Sequence, residues 1–428
     1  MMKKVFYPIH LFIIAGVLVF SGCAASGQDN NQNGTSANNG QEQTKQEQNN
    51  GKQPSKEMQE KFAAPPTDFN DQASTNLKIE STKNVTRINE EQTTRAATLV
   101  SQTIWPATHK ENQPGTVILV PEGQWQISMA SADLIHHPNN GPVLFTKKDA
   151  VPQETLDEIK RLRPVGNEAG TQIMVMGDVS ENVLKQLEEY KVQHIEGSDP
   201  AKFAADIDRV YAEVAGEVPE SVIIVSPEEK AKLFSLPAVN WIAHMPEPVL
   251  FVNKDDIPEA TLAALEVRKK KPNMYILGPE SVISKKVEDQ LGEIGTVTRI
   301  AGEDPVSNAI SFAQFKDEDT GFGWGMNEPG HGLSFVSTKT PELAIAAAPF
   351  SHLGKHAPLI WLENGKLHED IYKFLATIRP TFTNNPQDGP FNHAFMTGTF
   401  DQISFKTQGI IDEKLEITNA SGGGHGGH

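Results

Sequence analysis

Cys23 is the only cysteine in a chain of 428 residues, so no disulfide can form within it and noncovalent forces must hold the fold. Basic residues are in short supply too: 38 Lys and Arg stand against 55 Asp and Glu, a formal net charge of −17. A surface of that sign repels phosphates and excludes an ordinary nucleic-acid partner. No apolar run is long enough to span a bilayer as a permanent helix; the longest, Leu11–Phe20, has ten residues. Also missing are a nucleophile elbow, a phosphate-binding loop and a metalloprotease helix. "GFGWG" (Gly321–Gly325) contains G-x-G but sits in a loop between a helix and a strand, the wrong context for a dinucleotide. Serines and carboxylates form no spaced set. These absences point to binding rather than catalysis.

What is present begins with Lys3 and Lys4, the apolar run, and small residues at Ser21 and Gly22 just before Cys23. This order resembles the bacterial lipoprotein signal. The resemblance implies a signal peptide over 1–22 and lipidation, as by palmitate, at Cys23. Two or three acyl chains would then anchor the protein, since one holds only marginally. The implied location is the outer face of the cytoplasmic membrane, reaching into the cell wall. From Ala24 to about Pro54 there is almost no apolar residue, and a flexible Asn/Gln-rich tether is expected. The tether region, 23–83, continues through a softer segment with a short helix at Ser55–Phe62.

The remainder repeats itself three times. Four landmarks recur in one order: a phrase ending in Ile88, Ile195 and Ile300; an apolar strand at "TVILV", "SVIIV" and "GLSFV"; a strand and helix opening "PVLFTKK", "PVLFVNK" and "PLIWLEN"; and a strand ending in Gly177, Gly278 and Gly398. A loop inserted at Thr381–Pro390 absorbs the longer last step. Short apolar runs alternating with helices imply α/β modules with parallel sheets covered on both faces. In the second copy the expected strands are Val222–Val225, Val249–Val252, Met274–Leu277 and Val297–Ile300.

Residues 248–305 resemble the cell wall-binding repeat 2 module of Gram-positive bacteria. The likeness runs through the "IP…T" helix start, the "YILG" strand, the "VIS…VE..L" helix and the closing "VTRIAG.D". In the third copy "TPELAIAAAPFSHL" is similar to the family's "FPDALSAAPLA" segment, while Pro305 departs from an aromatic common in the family. The resemblance covers 84–418. It implies three Rossmann-like modules, 84–194, 195–299 and 300–418, around a pseudo-threefold axis, with a Gly/His tail at 419–428. The chain would then be a monomer with an internal pseudo-trimer. It would be a non-catalytic, membrane-anchored protein binding an anionic wall polymer noncovalently, without a cofactor unless cations bridge the like charges. The alternative is a small-solute binding lipoprotein using a strand-end crevice.

Parallel sheets present ligands at their C-terminal strand ends. That edge offers Lys147, Lys254 and Lys339 as polymer contacts. Arg87 and Arg299, in the closing phrase, either reach phosphate or pair with nearby carboxylates. Phe322 and Trp324 either meet a partner or tuck onto the body. Asp317–Asp319 read as a solvated acidic loop. His352 with His356, and His425 with His428, are the candidate metal ligands. The basic clusters "KRLRP" and "RKKKP" suit the negative poles of helix C-termini.

Overall fold

The computed structural model describes residues 55–420. The expected signal peptide, Cys23, the tether to residue 54, and the tail from residue 421 on, with His425 and His428, lie outside the described residues, while Asn419 of the expected tail is in a strand.

The strands are β1 (Val85–Ile88), β2 (Val117–Pro121), β3 (Val143–Thr146), β4 (Ile173–Met176), β5 (Val192–Ile195), β6 (Ser221–Val225), β7 (Val249–Phe251), β8 (Asn273–Leu277) and β9 (Thr296–Ile300). They are followed by β10 (Gly332–Ser337), β11 (Leu359–Leu362), β12 (Thr381–Phe382), β13 (His393–Thr397) and β14 (Thr418–Asn419). Three four-stranded sheets result, ordered β3-β2-β4-β5, β7-β6-β8-β9 and β11-β10-β13-β1. All their strand pairs are parallel, as crossover helices require. The central strands β2 and β6 are buried throughout, because helices cover both faces.

The third sheet contains the departure from sequence order. β1, expected to open module 1, instead pairs with β13 from Val85↔Ala394 to Ile88↔Thr397 and completes module 3. A strand from the N-terminal side thus closes the last module. The helix expected at Ser55–Phe62 forms over Lys56–Ala63, but it is docked on helix Glu369–Thr377 rather than standing free in the tether. Phe62 is buried there beneath the Arg379 guanidinium, 4.9 Å from the ring centroid.

The recurring phrase has a common structural cause. Its last isoleucine accepts a hydrogen bond from the glycine N–H ending the neighbouring strand: Gly177 to Ile195 at 2.9 Å, Gly278 to Ile300 at 2.9 Å, Gly398 to Ile88 at 3.0 Å. The residue before it donates to that glycine's carbonyl: His194 at 2.9 Å, Arg299 at 2.8 Å, Arg87 at 2.7 Å. Each glycine has positive φ (76°, 127° and 139°), which side-chain-bearing residues seldom adopt. The Asp-Pro that ends two of the phrases starts a helix. Asp199 accepts from the Lys202 N–H at 2.8 Å and Asp304 from the Val306 N–H at 2.8 Å, with proline in the first turn of each helix.

The modules meet through the helical segments after each first strand: Trp125–Leu134, Lys232–Ile242 and Leu343–Ser351. Fully buried small residues, among them Ala130, Ala238, Ala346 and Ala347, allow close approach. Polar struts cross the seams. Trp125 Nε1 donates to Glu229 at 2.9 Å between modules 1 and 2. Asn240 Nδ2 donates to Ser351 Oγ at 2.8 Å and Trp361 Nε1 to the Leu233 carbonyl at 2.8 Å between modules 2 and 3. His352 Nε2 meets Asn140 Oδ1 at 3.0 Å between modules 3 and 1.

Candidate functional site

The five basic candidates divide into two groups. Lys147 follows β3, Lys254 lies just beyond β7 and Lys339 just beyond β10, all at C-terminal strand ends. Lys147 and Lys339 are exposed, and their ammonium groups make no hydrogen bond or ion pair with a described residue. Lys254 is half-buried, fixed by its backbone: its N–H donates to Glu228 at 3.2 Å and its carbonyl accepts from Ser284 at 2.9 Å. Lys230 chiefly, and the Lys254 N–H in part, hold the Glu228 carboxyl below its ordinary range.

The two arginines make internal contacts, the second of the two roles open to them. Arg87 is buried, with Nε donating to Gln408 at 2.6 Å and Nη2 to the Ile403 carbonyl at 2.8 Å, besides the Gly398 bond. Burial pushes its pKa down to about 10, against a smaller upward pull from Glu80. Arg299 pairs with Glu288, Nε to Oε2 at 2.8 Å. Both guanidiniums are spent on the chain that closes their module.

Loop 315–331 does not offer Phe322 to a partner. Phe322 is buried and stacks on Tyr275 at 3.7 Å and 5°. Trp324 stays half-buried, edge-on to Trp241 at 5.0 Å and stacked with His244 at 5.8 Å. Asp317 organises the loop, accepting from Tyr275 Oη at 2.7 Å and from the Asp319 N–H at 3.0 Å. The Tyr275 bond leads the causes that lower its pKa.

His352 and His356 take different neighbours. His352 faces His137 with ring centroids 5.5 Å apart, whereas His356 meets His244 at 4.1 Å. Among the described residues no group of three or more His, Cys, Asp or Glu is arranged to hold a metal ion. His136 joins them at the junction, 6.5 Å from His352. Burial chiefly, then neighbouring imidazoles, pushes His136 and His352 down to about 3 and His244 to about 4.

Arginines at three helix ends, two of them in the basic clusters, have a use that dipole complementarity alone did not suggest. Arg161 pairs with buried Glu158 at 2.7 Å and donates to the Trp105 carbonyl at 2.9 Å. Arg268 grips Asp208 through both Nη atoms at 3.0 Å, and Arg379 reaches Glu413 at 2.9 Å. Each latches neighbouring helices. Asp208 precedes Arg268 by sixty residues, so no local pattern reveals the pair.

No protein-family model matches the chain. The fold is similar to that of Cwp6 from Clostridium difficile, with a TM-score of 0.63 and 18% identity over 80% of this chain and 50% of that one. It is also similar to Cwp8 from Clostridium difficile, with a TM-score of 0.58 and 20% identity over 78% of this chain and 52% of that one. In sequence it is 26% identical over 217 residues, 48% of this chain, to the amidase enhancer of Bacillus subtilis (strain 168). The match spans only 26% of the amidase enhancer's length, and the chain spans about half of each structural neighbour. In architecture, these neighbours bear out the expectation of tandem α/β modules with parallel sheets.

Proposed function

We propose that the protein is a non-catalytic component of the cell surface that binds anionic wall polymer along the strand-end edges of its three modules. One observation carries this reading: each of three like sheets has a lysine at a C-terminal strand end, Lys147 and Lys254 after the equivalent edge strands β3 and β7 and Lys339 after the neighbouring strand β10. The architecture, similar to that of Cwp6 and Cwp8 from Clostridium difficile, and the sequence likeness to an amidase enhancer support it. Three weak contacts on one chain add through effective concentration. Bridging cations reconcile the net charge of −17 with an anionic ligand. Acylation at Cys23 would supply the membrane end of the bridge.

Retention of the purified protein on cell walls, intact and stripped of anionic polymer, tests the reading. Intact walls should retain it and stripped walls should not. Equal recovery on both, or none on either, overturns it. Mass analysis of membrane-extracted protein should find acyl chains on Cys23, and membrane release by Cys23→Ser tests the anchor separately.

A further inference from the structure

The two stretches in which module 3 departs from the repeat meet at one cleft. Loop 315–331 stands where module 2 has only 216–220, and the insertion after β12 leads to Phe391, an exposed aromatic on the cleft wall. With the end of the module 2 segment at His244 they enclose about 460 Å³. The cleft opens beside Gly332, the first residue of β10, so it is not the strand-end edge that carries the lysines.

Its composition opposes that of the chain. Lys316 and Lys355 line it together with His244, His331 and His356, and no Asp or Glu does, although acids outnumber bases 55 to 38 overall. Lys316 is partly engaged, donating to the Gly321 carbonyl at 2.6 Å and the Gly323 carbonyl at 3.1 Å. The Lys355 ammonium is exposed and makes no hydrogen bond or ion pair with a described residue. In two lining residues a ring nitrogen, Trp324 Nε1 and His331 Nε2, lies just beneath the cleft surface with no hydrogen-bond partner among the described residues. Native structures rarely leave such atoms unpaired without a role for them. Burial holds His244 and His331 below the ordinary imidazole range, so near neutrality each offers one donor and one acceptor.

We infer that this cleft binds a single saccharide unit carrying a carboxylate or phosphate. The sugar's C–H face would lie against the Trp324 and Phe391 rings, its hydroxyls would meet the imidazoles, and its anion would meet Lys355. A concave site with apolar walls and a few convergent polar groups has the form that small ligands need. The charge follows from the lining alone; the choice of a sugar rests on the wall-binding reading.

Calorimetric titration of the full protein with N-acetylmuramic acid and glucose 6-phosphate separates the carboxylate and phosphate forms. N-acetylglucosamine supplies the ring without the charge, and inorganic phosphate the charge without the ring. At least one anionic sugar should bind saturably, about tenfold or more tighter than either control. Lys355→Gln, a surface change, should keep the parent Tm and weaken binding about tenfold; Trp324→Phe should weaken it as well. Absence of saturable binding by both anionic sugars overturns the inference. So does a control that binds as tightly, or Lys355→Gln binding unchanged. Wall retention, measured in parallel, keeps the two readings apart. If intact and stripped walls retain the protein equally while an anionic sugar still binds, the wall reading fails and the cleft stands.

Discussion

Modules 2 and 3 share one strand order and the same pair of arginines, yet they bury them differently. In module 2 the helix latch is sealed: the Arg268 and Asp208 side chains are 1% and 3% exposed, while closing-strand Arg299 is 15% exposed. In module 3 closing-strand Arg87 is buried among carbonyls, and the latch reaches outward to Glu413, which is 54% exposed. The chain path explains the exchange. β9 is delivered by helix Lys285–Ile294 through Gly295 alone, so a covalent link holds it in place. β1 comes from the N-terminal side of the chain, more than three hundred residues before its partner β13, with no such direct link, and side-chain anchors replace it. Asn84 extends the anchoring, its N–H donating to Asp412 at 2.8 Å. A strand joined by sequence needs less holding than one joined only by contact.

Breaking the sealed latch should have the largest effect. Asp208→Ala leaves Arg268 buried without its counter-ion and should cost about 3–5 kcal/mol in urea unfolding. Arg379→Met, which frees an exposed glutamate and replaces the guanidinium over Phe62 with another apolar-stemmed side chain, should cost far less. Next, Arg87→Ala strands the Gly398 and Ile403 carbonyls and opens a void, at about 3 kcal/mol; Arg299→Ala should cost about 1 kcal/mol. Limited proteolysis should then cut near β1 in the first variant and spare β9 in the second. Equal losses would end the comparison.

The junction gives a prediction in pH. Above 6.5, the ordinary histidine value, His136 and His352 are neutral whether folded or not. As pH falls from 6.5 towards about 3, the unfolded chain takes up protons that the buried rings refuse, and stability drops. Buried Asp133, raised well above 3.8 chiefly by burial and then by Asp208 and Glu247, acts in the opposite sense and gains as pH falls. His136→Asn should therefore lose less Tm between pH 6.5 and 4 than the parent protein does. The smallest stability effect belongs to Lys339→Gln, within about 0.5 kcal/mol, accompanied by weaker retention on intact walls.

Locally encoded features were readable in the sequence. Strands β6 to β9 fall within a residue of expectation, because apolar runs bounded by proline and glycine announce them. Asp199-Pro200 and Asp304-Pro305 mark helix starts for the same reason. The pairing of β1 with β13 was not readable, since the closing phrase is alike in all three copies and names no partner. The strand-end lysines followed from the rule for parallel sheets, whereas the internal duty of Arg87 depends on Gln408 and Ile403, more than three hundred residues away. The cleft was hidden because its walls come from four separated segments, and although the aromatic loop, His356 and the Thr381–Pro390 insertion each stood out, nothing local brings them together.

The closing strand also gives the molecule a mechanical character. β1 runs parallel to β13, so a pull at residue 84 directed along the strand, and resisted elsewhere in module 3, loads the pairs from Val85 to Ile88 in shear. All the ladder bonds then share the load instead of opening one by one. The Arg87 fork, gripping two carbonyls and Gln408, acts as a pin across that joint. Tension entering from the N-terminal side would first load the docked helix Lys56–Ala63 and, once that is released, the pinned strand β1.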